Sequence, residues 1–116
     1  MTLPDGIKFV VEERKVRDYL LSPTHPIGRL KAAFFGTLGF DPENPMDLVK
    51  ALEAHASSGE VVDRESTRYG TNYVVEGEVP GPVGTARVRS VWIADRSGGI
   101  LRLVTAYPAP KEGRGR

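Results

Sequence analysis

From Glu60 to Tyr107 the chain passes through four β-rich segments with no helix-length stretch between them, and this narrows its fold more than any other feature. The segments are Val61-Val62, Tyr73-Val74-Val75, Arg87 to Ile93 and Ile100 to Tyr107. They are separated by Tyr69-Gly70, Pro80-Gly81-Pro82-Val83-Gly84 and Ser97-Gly98-Gly99, which suit consecutive hairpins. Parallel neighbours need a crossover of about a dozen residues or more, so an antiparallel sheet of about four strands is expected.

The first half has a different period. Glu12 to Leu21 predicts a helix with Val16, Tyr19 and Leu20 inward, ended by Ser22-Pro23 because the residue before proline avoids the α region. Ile27 to Leu38 predicts a second helix. Its buried stripe is Ile27, Leu30, Phe34 and Leu38, with Gly39 in the left-handed conformation after its end. Asn44 is placed to cap a third, with Pro45 at its first position, Asp47 in its first turn and Leu48, Val49, Leu52 and Ala56 inward. Lys8 to Val11 is a short β-like run. Three helices packed on a later antiparallel sheet make an α+β domain rather than an α/β one. One domain over residues 1–108 is expected. The Pro-, Gly- and charge-rich stretch 109–116 reads as a flexible tail.

Composition removes several classes of function. The 116 residues include no Cys, which excludes a disulfide framework, a thiolate zinc site and a cysteine nucleophile. A cysteine-free chain suits a reducing cytosol, and a cytoplasmic location is expected. Met1 to Lys8 holds no long apolar run, so no signal peptide is expected, and no stretch is apolar enough to span a membrane. A formal net charge of +1 gives no global basic field. Locally, Arg87, Arg89, Arg96 and Arg102 face only Asp95 over residues 85–107, and such a patch can attract phosphates.

Two segments could carry chemistry. In Thr24-His25-Pro26-Ile27-Gly28-Arg29-Leu30-Lys31 a loop runs into a helix start, where free N–H groups favour an anion. There Gly28 would let a ligand approach the backbone, Arg29 and Lys31 add cations, and His25 can serve as general base or acid. The plainer reading is a Pro-shaped turn with ordinary surface charges. In the last strands, Arg87, Arg89 and Val91 alternate with Ser90 and Trp92, and Leu101, Leu103, Thr105 and Tyr107 should share a face. Trp92 reads first as core. His55 reads as a boundary residue on the third helix. Two His without ligand spacing predict no metal site, and Asp63, Glu65, Glu76 and Glu78 read as solvated strand residues rather than a catalytic pair.

Asp18-Tyr19-Leu20-Leu21-Ser22-Pro23, His25-Pro26 and Gly28-Arg29-Leu30-Lys31-Ala32 resemble the bacterial family known as domain of unknown function 6883. So do Tyr69-Gly70, Tyr73, Gly81-Pro82-Val83-Gly84, Val88-Arg89-Ser90-Val91-Trp92 and Leu103-Val104-Thr105-Ala106-Tyr107. The likeness covers about residues 7 to 108. One departure is Leu30, where the family usually carries a polar residue. The resemblance implies an association with toxins and a kinship to the barnase, EndoU, colicin and RelE-like ribonuclease superfamily. By that kinship His25, Lys31, Arg87 and Thr105 are expected as catalytic residues. Arg29, Arg89, Ser90, Trp92 and Tyr107 are expected to bind substrate.

The reading that follows is a metal-independent ribonuclease of a bacterial toxin–antitoxin or polymorphic toxin system, with no cofactor. His25 would take the ribose 2′-hydroxyl proton, and Lys31 with a strand Arg would stabilise the phosphorane charge. Its partners would be RNA and a small acidic antitoxin or immunity protein. The alternative is a non-catalytic interaction module, either an immunity-like partner or a homodimerising subunit. No membrane partner is expected.

Overall fold

The computed structural model of this chain describes residues 6–26, 28–95 and 99–110. The expected helix start at Ile27, the Arg96 charge, the Ser97-Gly98 part of the last turn, the leader reading of Met1 to Asp5 and the tail from Lys111 lie outside the described residues.

Strand β1 (Lys8–Val10) leads into α1 (Glu13–Lys15), which continues directly as a π-helical stretch, Val16–Leu20. Then come α2 (Arg29–Thr37) and α3 (Pro45–Ser58), followed by β2 (Glu60–Thr67), β3 (Gly70–Pro80), β4 (Thr85–Ala94) and β5 (Ile100–Pro108). The strands form one sheet in the order β1-β5-β4-β3-β2. The expected α+β class holds, and the three hairpin pairs from β2 to β5 are antiparallel as expected. The sheet has five strands rather than about four, and it is mixed. β1 lies parallel to β5, with Phe9 opposite Leu101. The helices together with β2, β3 and β4 make the long connection between this parallel pair.

The third helix matches its pattern. Leu48, Val49, Leu52 and Ala56 are all buried, as their spacing requires. Two details differ. Asn44 occupies the N-cap position without a side-chain hydrogen bond, and Pro45 is itself buried. His55, expected at the boundary, is only 2% exposed.

In α2 the expected stripe holds in part. Leu38 is buried and Phe34 packs partly against the core, but Leu30 is 76% exposed and Phe35 is buried. The start of the helix is fixed by a close contact. Gly28 is pressed against the Tyr19 backbone so closely that a Cβ there would collide with the Tyr19 carbonyl. At the other end the chain closes as expected. Gly39 has φ +96°, its N–H reaches the Gly36 carbonyl at 3.0 Å and Phe40 N–H reaches the Phe35 carbonyl at 3.2 Å. This is a Schellman motif, with the Phe35 and Phe40 rings packed across it. The Val83 N–H, from the β3–β4 turn, donates to the Leu38 carbonyl at 3.0 Å.

One core joins the helices to a single face of the sheet. Val16, Leu20, Phe35, Leu48, Leu52 and Ala56 meet Val75, Val79, Val88, Trp92, Leu101, Leu103 and Ala106. By alternation the opposite face of β3 and β4 carries Val74, Glu76, Glu78, Arg87, Arg89 and Val91. A bulge in β5 breaks the period. Trp92 pairs with Leu103 but Val91 pairs with Thr105, leaving Val104 as the extra residue. Ala106, not Thr105, therefore follows Leu101 and Leu103 onto the buried face. Thr105 and Tyr107 lie with Val91 and Arg89 instead.

Candidate functional site

Tyr19 is where the start of α2 meets the last strand. It lies in the π-helical stretch, whose wider turn is closed by Leu21 N–H donating to the Val16 carbonyl at 2.8 Å. Its hydroxyl is 3.4 Å from Thr105 Oγ1. The His25 ring meets the Tyr19 ring edge-on with centroids 5.0 Å apart. The Lys31 ammonium stands 5.6 Å from the Tyr19 ring centroid, and that of Lys15 stands 5.5 Å from it. Lys15 also donates to the Val104 carbonyl at 3.0 Å, at the bulge. Three of the four expected catalytic residues, His25, Lys31 and Thr105, are thus gathered around one phenol. The Thr105 hydroxyl draws the phenol's proton affinity below its ordinary value, helped by the Lys31 and Lys15 charges and opposed by burial.

The His25 geometry restricts its chemistry. Its Nδ1 accepts the Gly28 N–H at 2.9 Å. That nitrogen is unprotonated, so the neutral ring carries its proton on Nε2 and offers a donor there. The base role expected of His25 does not fit this tautomer. Nor does Gly28 serve a ligand: the space its missing Cβ leaves is taken by Tyr19. Arg29 is exposed at the first position of α2.

The strand arginines form a second group beside the first. Arg89 Nε donates to Glu76 Oε1 at 2.8 Å, and Arg87 Nη2 lies 3.2 Å from Glu76 Oε2. Glu76 is 8% exposed and is not the solvated residue the alternation suggested. Arg89, then Arg87, hold its carboxyl below the usual carboxylate range, against the opposite pull of burial. Arg89 stands opposite half-buried Tyr107 on β5. It is therefore one diagonal step from Thr105, about 7–8 Å between Cα atoms.

Ser90 and Trp92 do not join either group. Both have no exposed surface. Trp92 Nε1 donates to Ser90 Oγ at 2.7 Å, and His55 Nε2 lies 2.7 Å from the same oxygen. The expected substrate contacts for these two residues are replaced by a buried core network, because their face of β4 is turned into the core. Burial lowers the His55 proton affinity.

Among the described residues no three His, Asp or Glu side chains are grouped to hold a metal ion. An apolar groove of about 410 Å³ lies apart from Tyr19, lined by Leu21, Arg29, Leu30, Ala33, Phe40 and Pro42 among others. The sequence reading missed Tyr19, Lys15 and Glu76. Lys15 and Tyr19 carried a usable signal, their i, i+4 spacing on one helix face.

The model of the family described as Domain of unknown function (DUF6883) matches residues 2–110. No curated protein matches the sequence. Among solved structures, the chain is similar to one from the contact-dependent growth inhibition toxin–immunity protein complex of Klebsiella pneumoniae 342. The TM-score is 0.69 and the identity 23%, over 88% of this chain and 94% of that one. At that identity the likeness is one of fold.

Proposed function

This chain belongs to the DUF6883 family, and from that premise we propose that it is a metal-independent ribonuclease domain of a bacterial toxin system. One observation carries the proposal. The start of α2 and the last strand, far apart in sequence, bring His25, Lys31 and Thr105 around Tyr19. A donor imidazole, an ammonium and a hydroxyl suit a phosphate whose charge grows during attack by a neighbouring hydroxyl. The fold likeness to a chain of a toxin–immunity complex points the same way.

In this reading Lys31 and His25 face the scissile phosphate, with Thr105 fixing the phenol beside them. Arg89 and Tyr107 extend the surface along β5 and β4 toward the next phosphate, Arg87 lies further along the same face, and Arg29 adds charge at the helix start. Ser90 and Trp92 have no part in it. A toxin of this kind needs a neutralising protein, and an acidic one would complement the two lysines and the exposed arginines.

The test is RNA cleavage in EDTA by wild type and by His25→Ala. The expected result is wild-type cleavage to 2′,3′-cyclic phosphate ends, with a loss of about 100-fold in the variant. Purified wild type that leaves RNA intact refutes the proposal. A second reading, a homodimerising or immunity-like module, is favoured by exposed Leu30 beside the apolar groove. Light scattering separates it: a strict monomer with wild-type RNA cleavage leaves it without support.

A further inference from the structure

Tyr19 is the residue about which this cluster is arranged, and packing alone does not account for its surroundings. Its backbone is held twice, by the π-helical turn before it and by Gly28 against its carbonyl. Its ring is half-buried, with the hydroxyl directed to Thr105. Lys15 and Lys31 reach the ring from separate helices, and among the described residues neither ammonium pairs with a carboxylate. Two ammonium groups beside one phenol favour its ionised form, and the Thr105 hydroxyl can donate to a phenolate oxygen. His25 cannot compete for the same task while its Nδ1 lone pair receives the Gly28 N–H.

We infer that Tyr19 is the catalytic proton acceptor at this site, acting on a ribose 2′-hydroxyl; the inference rests on the ribonuclease reading above. The Tyr19 phenolate removes the 2′-hydroxyl proton. The 2′-oxygen forms a bond to the adjacent phosphorus, and the bond from phosphorus to the 5′-oxygen breaks. The Lys31 ammonium gives the departing 5′-oxygen its proton. A phenol and an amine remain, and passing one proton from Tyr19 to Lys31 restores the starting pair. No outside proton is consumed, and the products are a 2′,3′-cyclic phosphate and a 5′-hydroxyl. Lys15 stays charged throughout, bound to the Val104 carbonyl and biasing the phenol toward ionisation.

Tyr19→Phe keeps the ring, its contact with His25 and its packing, and removes the accepting oxygen. The expected loss in kcat is about 100-fold or more, with RNA affinity within about twofold of wild type and an unchanged melting transition. Lys31→Gln should move the alkaline-rising limb of the kcat profile to higher pH, which a purely structural tyrosine would not do. A readout independent of activity is the ultraviolet absorbance of phenolate. The wild-type minus Tyr19→Phe difference spectrum should show one phenol ionising below tyrosine's ordinary value of about 10. If wild type cleaves RNA and Tyr19→Phe cleaves as fast, Tyr19 is not the acceptor although the ribonuclease reading survives. If wild type never cleaves RNA, the ribonuclease reading falls and this inference with it. A Tyr19 phenol that titrates at or above the ordinary value overturns the assignment whatever the activity.

Discussion

Ser90→Ala separates a core residue from a site residue, because the two roles predict opposite outcomes. The hydroxyl is the shared partner of two buried nitrogens. Trp92 Nε1 donates to it at 2.7 Å, and His55 Nε2 lies 2.7 Å away. His55 is 2% exposed and Trp92 has no exposed surface, so water cannot replace the lost oxygen without opening the core. Leaving a buried polar group unpaired costs about 1–3 kcal/mol. Two such groups, sharing some relaxation, place the loss at about 2–5 kcal/mol. That is a large fraction of the roughly 5–15 kcal/mol by which a domain of this kind is stable. At about 4 °C per kcal/mol for this size, the melting temperature should fall by about 8–20 °C. Urea denaturation followed by circular dichroism measures it, with an unchanged m-value as the sign that only stability has moved. Well below the transition, the RNA cleavage proposed above should run at the wild-type rate in the variant, since Ser90 meets His55 of α3 and not the Tyr19 cluster. A stability loss below about 0.5 kcal/mol would refute the network's energetic role. Normal stability with lost cleavage would return Ser90 to the substrate-binding set.

Two further outcomes follow from the charged groups. Burial lowers the folded pKa of His55 below its unfolded value of 6.5. The stability tied to its neutral form is therefore full above that value and lost as pH falls through it, and His55→Gln should flatten unfolding curves measured on the acid side of neutrality. Glu76, also lowered, acts in a separate and more acidic window that opens below 4.5. Glu76→Gln should abolish that lower limb and free charge on Arg87 and Arg89, tightening RNA binding and steepening its log–log salt slope by about 1; unchanged salt dependence would show that the pair adds nothing to the RNA surface.

Local patterns were legible wherever one element decided them. The α3 stripe, the Gly39 cap and the turns joining β2 to β3 and β3 to β4 each depend on a few neighbouring residues, and all are present. What was not legible depends on distant partners. Nothing near Lys8 announces a parallel pairing with Ile100. The single extra residue at Val104 undoes the strict alternation on which the shared face of Leu101 to Tyr107 relied. Ser90 reads as polar and available until His55, on another element, is seen to meet it. Leu30 follows the helical period yet is exposed, while Phe35 beside that stripe is buried. The candidate site is assembled from α1 and its π-helical continuation, α2 and β5. Its side chains could be proposed individually, but the residue that unites them looked like one more apolar position in a helix.

The hydrogen bond from Val83 to the Leu38 carbonyl ties the two halves together in time as well as in space. As the chain leaves the ribosome, α2 emerges before the turn that satisfies its end, and until then that carbonyl has only water. The early helices, some two turns to four turns long, are short enough to be marginal alone. Their persistence waits on the sheet that follows. A nascent chain halted before Gly84 should hold little stable helix, so the site around Tyr19 takes shape only once β5 has emerged. For the ribonuclease proposed above, that order would keep the half-made domain harmless to the ribosome making it.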